Sequence, residues 1–115
     1  MVTVRNVFSV EEKQVDTEGA SGVTIRWLID RNTGAENFAM RMFVLEPGGY
    51  TPYHSHDFEH EVFVLEGKGI VRTEDGEFSI EKDSFVFVPP NCYHQFINTG
   101  SENLRFLCLI PDHGY

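Results

Sequence analysis

The apolar residues of this chain come in short runs, and almost none of them repeat with helical spacing. Residues 22–30 (GVTIRWLID), 37–46 (NFAMRMFVLE), 60–65 (HEVFVL), 70–74 (IVRTE), 77–80 (EFSI), 84–88 (SFVFV), 93–98 (YHQFIN) and 104–110 (LRFLCLI) are rich in β-branched and aromatic side chains. Runs of this length and composition are strand signals. The joints carry turn chemistry: RNTG at 31–34, PGG at 47–49, EGKG at 66–69, PPN at 89–91 and NTGS at 98–101. Asp75-Gly76 lies between two strand-like runs and predicts a hairpin with a mirror-image turn. Many short strands at this spacing predict an all-β sandwich or barrel. Only residues 8–15 suit a helical turn, with Ser9 as its cap ahead of Glu11 and Glu12. No linker, repeat or low-complexity tract interrupts the pattern, so residues 1–115 are expected to form one domain with a frayed tail at 112–115.

A formal charge of −9 and the absence of a basic stripe argue against nucleic acid and against anionic membrane surfaces. No apolar run approaches the roughly 18 residues needed to span a bilayer. The opening MVTVRNVFSVEEK carries no apolar signal core, and a cytoplasmic protein is expected. The two cysteines, Cys92 and Cys108, do not make a disulfide framework and are expected as reduced thiols.

Three of the five histidines fall in the seven residues HSHDFEH, from His54 to His60. In extended chain, side chains alternate faces, so His54 and His56 point the same way and His60 shares their parity, with a local bend expected at Asp57-Phe58-Glu59. A fourth, His94, follows the turn PPN at the start of another strand. A lone strand histidine is ordinarily a hydrogen-bonded core or surface residue. Four converging on one interior would repel when protonated and compete for acceptors when neutral. A divalent transition metal resolves both problems, because it is bound by neutral imidazole nitrogens. Such a site is expected to release its metal as pH falls through roughly 6. His113, in the terminal PDHGY, is expected to be solvent-exposed and unrelated.

At these residues the chain resembles the cupin superfamily. From Gly48 to Gly67, GGYTPYHSHDFEHEVFVLEG resembles the first cupin motif: glycine, five residues, His-x-His, three residues, a ligand, six residues, glycine. From Asp83 to Asn98, DSFVFVPPNCYHQFIN resembles the second, in which a histidine follows Pro-x-Gly by two residues and precedes asparagine by three. The resemblance departs at three places. His60 stands where the family usually has glutamate, with Glu61 next to it. Asp83 and Asn91 stand where glycine is usual. The histidine at position 60 resembles a subgroup of small bacterial cupins with a four-histidine site, for which manganese is one reported metal. The resemblance implies a double-stranded β-helix (a jelly-roll barrel) and a homodimer. It also implies metal ligands His54, His56, His60 and His94, with manganese favoured, then iron, nickel or zinc. Counting from His56 puts the ligand at His60 and turns Glu61 outward.

Within residues 104–110, Leu104, Phe106, Cys108 and Ile110 share one face, and Phe43 alternates with Met42 along 37–46. Phe43, Thr51, Phe106 and Cys108 are the candidates for a substrate pocket, with Tyr50, Tyr53 and Gln95 at its mouth. Phe38, Phe85, Phe87 and Phe96 are expected to serve packing, and Trp27 the core in preference to an interface. The first functional reading is a metal-dependent oxidoreductase of dioxygenase type. Four neutral ligands leave the metal's charge intact and about two positions open on a roughly six-coordinate ion. The alternatives are a small-molecule binding or sensing module, and a redox-neutral isomerase, lyase or cyclase.

Overall fold

In the computed structural model, which describes residues 1–114, the strand-like runs become strands β2 to β9, with one short strand ahead of them. They are β1 (Lys13–Gln14), β2 (Ser21–Ile29), β3 (Phe38–Tyr50), β4 (His60–Glu66), β5 (Lys68–Thr73), β6 (Gly76–Glu81), β7 (Phe85–Val88), β8 (His94–Asn98) and β9 (Leu104–Pro111). Pairing is antiparallel throughout, in the order β6-β5-β8-β3-β9-β4-β7, with β2 beside β3 and β1 beside β2. The path curls into a nearly closed jelly-roll barrel, the all-β class that the short runs predict. No helix among the described residues is long and apolar enough to cross a membrane.

Period-two alternation sets the interior. On β4, His60, Val62 and Val64 are buried while Glu61 and Phe63 face outward. On β9, Leu104, Phe106, Cys108 and Ile110 are buried. Phe106 stacks between Phe43 and Phe96, with ring centroids 5.4 and 4.8 Å away.

The structure differs from the sequence expectations in four places. Pro47-Gly48-Gly49 is no chain reversal. β3 runs through it as a bulge, and the partners of β2 jump from Val23↔Leu45 to Ser21↔Tyr50. Gly48, at φ 81°, supplies the left-handed residue that this requires. The helical turn is a single 3-10 turn, Val7–Ser9, capped by Asn6 rather than Ser9; the Asn6 side chain accepts the Phe8 N–H at 2.9 Å. Asp112–Gly114 forms another 3-10 turn, and Tyr115 lies outside the described residues. Finally, Val86 and Val88 take the inner face of β7, so alternation turns Phe85 and Phe87 outward, 83% and 58% exposed; Phe38 is also exposed. Of the four phenylalanines expected to pack, only Phe96 does so.

Asp83 and Asn91 have φ of 73° and 64°. Both occupy the left-handed region where the motif usually places glycine, and Asp and Asn are the residues that tolerate it best.

Candidate metal centre

His60 and His94 sit at the first residues of β4 and β8, whereas His54 and His56 lie in the connection between β3 and β4. That connection is not a strand, and parity alone therefore does not aim its histidines. Backbone bonds across to the β7–β8 turn do. His54 and His94 exchange N–H···O bonds of 3.2 and 2.9 Å, and the Asn91 N–H donates to the His56 carbonyl. The turn PPN thus fastens the His54–His56 loop over the barrel mouth.

The result is a cluster of four rings. Centroids are 4.4 Å apart for His54–His56, 5.0 Å for His54–His94, 4.8 Å for His60–His94, 5.3 Å for His56–His60 and 6.2 Å for His56–His94. The side chains do not already form a finished metal cage: no group of three or more His, Cys, Asp or Glu among the described residues does. Their chemistry nevertheless fits an ion. The Nδ1 of His94 lies 2.9 Å from the Cys92 carbonyl, so it carries the proton and leaves Nε2 with a free lone pair. The Nδ1 of His60 is buried without a partner. Burial, reinforced by the other histidines and by Arg41, lowers His60 to about 3; burial together with His56, His94 and Arg41 lowers His54 to about 4. His56 and His94 are lowered too, chiefly by burial. All four are therefore neutral donors at pH 7.

Two consequences follow. Protons compete less well for rings that resist protonation than for ordinary imidazoles, so a metal held by these rings would be released below the pH of about 6 expected from sequence. Metal-free protein should also lose stability on acidification. Unfolded histidines take up protons near 6.5, whereas folded His54 and His60 wait until about 4 and 3. Between those values the unfolded state binds more protons, so this contribution is complete above about pH 6.5 and shrinks as pH falls. The melting temperature of chelator-treated protein is expected to drop between about pH 7 and 5, and a flat profile would contradict the burial of the cluster.

The rings open into a cavity of about 230 Å³, lined also by Phe43, Thr51, Phe96, Phe106 and Cys108. The candidates named from sequence, Phe43, Thr51, Phe106 and Cys108, all reach it. The Thr51 hydroxyl accepts the Phe96 N–H at 2.9 Å, and its carbonyl accepts from the Gln95 side chain. Tyr53 lies outside, its ring tilted against that of Tyr93 and beneath Arg72. Tyr50 is exposed, as is His113, near the edge of the Phe58 ring. Both cysteines are free thiols. Trp27 packs against the core.

A charged residue of the lining is not singled out from sequence. Arg41 extends into the cavity from β3, donating to the Cys108 sulfur at 3.0 Å. It shares parity with Phe43, so the signal was present, but an arginine in a strand ordinarily marks the solvent face.

Residues 41–110 match the family model described as Cupin domain. The solved structure of the polyketide cyclase RemF from Streptomyces resistomycificus aligns with a TM-score of 0.91 at 32% identity, covering 96% of this chain and 80% of that one. Polyketide synthase CurC from Streptomyces cyaneus is 28% identical over 100 residues, covering 85% of this chain and 65% of its own. Auxin-binding protein 1 from Arabidopsis thaliana is 28% identical over 116 residues, covering 93% and 58%. The chain thus spans less than two thirds of the length of these two curated relatives.

Proposed function

The chain belongs to the cupin family, and on that premise we propose that it is a metal-dependent cupin enzyme performing redox-neutral chemistry on a small oxygen-bearing organic molecule in the barrel. The observation that carries the reading is the cluster of four neutral imidazoles at the head of an apolar cavity. His54, His56, His60 and His94 would hold a divalent transition metal. Manganese is favoured, then iron, nickel or zinc, although affinity for nitrogen sites rises from manganese toward copper. When bound, such an ion supplies Lewis acidity toward a carbonyl or enolic oxygen. The remaining tasks belong to the chain. The Cys92 carbonyl holds the proton of His94 on Nδ1 and so keeps its Nε2 available. Phe43, Phe96 and Phe106 exclude water and give a planar substrate a surface to lie on. No carboxylate lines the cavity among the described residues, so a side-chain general base of that type is not at hand.

The likeness to the RemF cyclase supports the redox-neutral reading over oxygen chemistry. The dioxygenase reading is second: it rests on the same four donors, which would suit a redox-active ion such as manganese or iron. One metal per chain is expected by elemental analysis of protein made without a histidine tag; a content near zero after growth with manganese, iron, nickel or zinc would sink both. On a panel of diketones, diols and phenolic polyketides, the expected product is isobaric with substrate or one water lighter, formed without oxygen uptake. Stoichiometric oxygen consumption would replace the first reading with the second, and binding without turnover would make the protein a sensor module.

We also propose that the molecule is a homodimer joined through the outer face of β4 and β7. Phe63, Phe85 and Phe87 are exposed there side by side, through the pairs Phe63↔Phe85 and Glu61↔Phe87. Apolar clusters of this kind mark interfaces. Light scattering is expected to give twice the 13.2 kDa of one chain, and Phe85→Ser with Phe87→Ser to give the monomer mass. A wild-type monomer at micromolar concentration would refute the dimer.

A further inference from the structure

We propose that Arg41 is the anchor for a carboxylate on the molecule that occupies the barrel. This deepens the reading of the cavity as a small-molecule site and rests on it.

The placement comes from strand register. Arg41 pairs with Trp27 of β2 on one side and Cys108 of β9 on the other. It belongs to the inward row of β3, in parity with Ala39, Phe43 and Leu45. An arginine turned into a barrel ordinarily meets a carboxylate, because an inward charge without a counter-ion is costly. Among the described residues Arg41 makes no ion pair. Its Nη2 donates to the Cys108 sulfur, a weak acceptor, and its Nε is buried without any acceptor. Burial raises the Cys108 pKa, so that thiol stays neutral and does not balance the guanidinium. Two rings flank the charge: the guanidinium carbon is 5.4 Å from the Trp27 centroid and 5.0 Å from that of Phe43. They hold the side chain in place and satisfy none of its hydrogen-bonding capacity.

The cavity around it carries the positive charge of Arg41 within a chain of net charge −9. Its lining includes Arg41 and four histidines and, among the described residues, no Asp or Glu. The charge of Arg41 is felt at His54, His56 and His60, which puts it within electrostatic reach of the cluster. A carboxylate, like a phosphate, takes two parallel N–H donors from a guanidinium, and of the two it is the smaller. The space also limits the ligand, since about 230 Å³ is below the roughly 300–1,000 Å³ of sites for drug-sized molecules. A small aromatic or unsaturated carboxylic acid meets each condition. Its carboxylate lies on Arg41 and its body along Phe43, Phe96 and Phe106, reaching toward the histidines.

The probes are benzoate and its uncharged isostere benzamide. Calorimetric titrations compare wild type, Arg41→Gln and Arg41→Lys, each metal-free and metal-loaded. Metal-free wild type is expected to prefer benzoate at least about ten-fold, consistent with a charge-assisted pair. Arg41→Gln should lose the preference and Arg41→Lys keep part of it. Should Arg41→Gln not fold by circular dichroism, the Nε–H resonance of wild-type Arg41 decides: it should move with benzoate and stay with benzamide. No measurable benzoate binding, equal affinity for the two probes, an undiminished preference in Arg41→Gln or an unmoved Nε–H resonance would each overturn the anchor. Metal content of the same samples keeps the two readings apart. An Arg41-dependent preference in protein that takes up no metal leaves the anchor standing and removes the metal centre. Full metal loading without that preference does the reverse.

Discussion

His60→Ala is expected to weaken metal binding by at least about 100-fold in competition with a fluorescent chelator, whereas Glu61→Ala should leave it within about two-fold. The lower bound comes from the 10–100-fold losses that even outer-shell partners of metal ligands produce, and a direct ligand should exceed them. Glutamate is the commoner ligand at this motif position, so the neighbouring Glu61 is the natural rival. The barrel decides against it. His60 is 6% exposed, its ring centroid lies 4.8 Å from that of His94, and its Nδ1 has no protein partner. Glu61 is exposed on the opposite face, between Phe87 of β7 and Leu109 of β9. Bringing Glu61 inward would slip β4 by one residue, driving Val62 and Val64 out of the core and Phe63 into it. His60→Glu is expected to keep metal with one less positive charge at the site. Loss of binding in Glu61→Ala with retention in His60→Ala would show the register to be wrong.

Phe106→Ala should be the most damaging core change at the cavity, destabilising by about 3–5 kcal/mol and lowering the melting temperature by about 10–20 °C. Phe106 is 1% exposed and stacks on both Phe43 and Phe96, so its removal empties the middle of the aromatic wall. The neighbouring strands cannot collapse into the space, because β9 is held between β3 and β4 along its length. The same change enlarges the pocket, so small aromatic ligands should regain part of the lost stability. Denaturant melts with and without benzoate read both effects. A loss below about 1 kcal/mol would mean that the ring is not the keystone of this packing.

The strands are more legible in the residues than the connections between them. Eight of the nine strands among the described residues follow from short β-branched and aromatic runs, because strand formation there is a local matter of composition and punctuation. β1, with two residues and no apolar signal, was invisible. Pro47-Gly48-Gly49 forms a bulge and not the expected turn: the same residue chemistry serves both, and only the distant partner Ser21–Val23 distinguishes them. Strand parity does not aim the loop histidines: His54 and His56 are fastened by backbone bonds to His94 and Asn91.

Composition, punctuation and histidine spacing by themselves determined the all-β class and the four residues now clustered at the barrel mouth. Period-two alternation told which side chains share a face. It carries no information on which of the two faces turns inward, and that choice belongs to the tertiary structure. Pairing of β3 with β2 and β9 turned Arg41 into the cavity, against the usual habit of a strand arginine. Pairing of β7 with β4 left Phe85 and Phe87 in solvent, against the usual habit of phenylalanine. In both cases the faces were settled by the whole row. Burying Phe43, Leu45, Val86 and Val88 and pairing every strand gains more than the two exceptions cost, and no local window contains that sum.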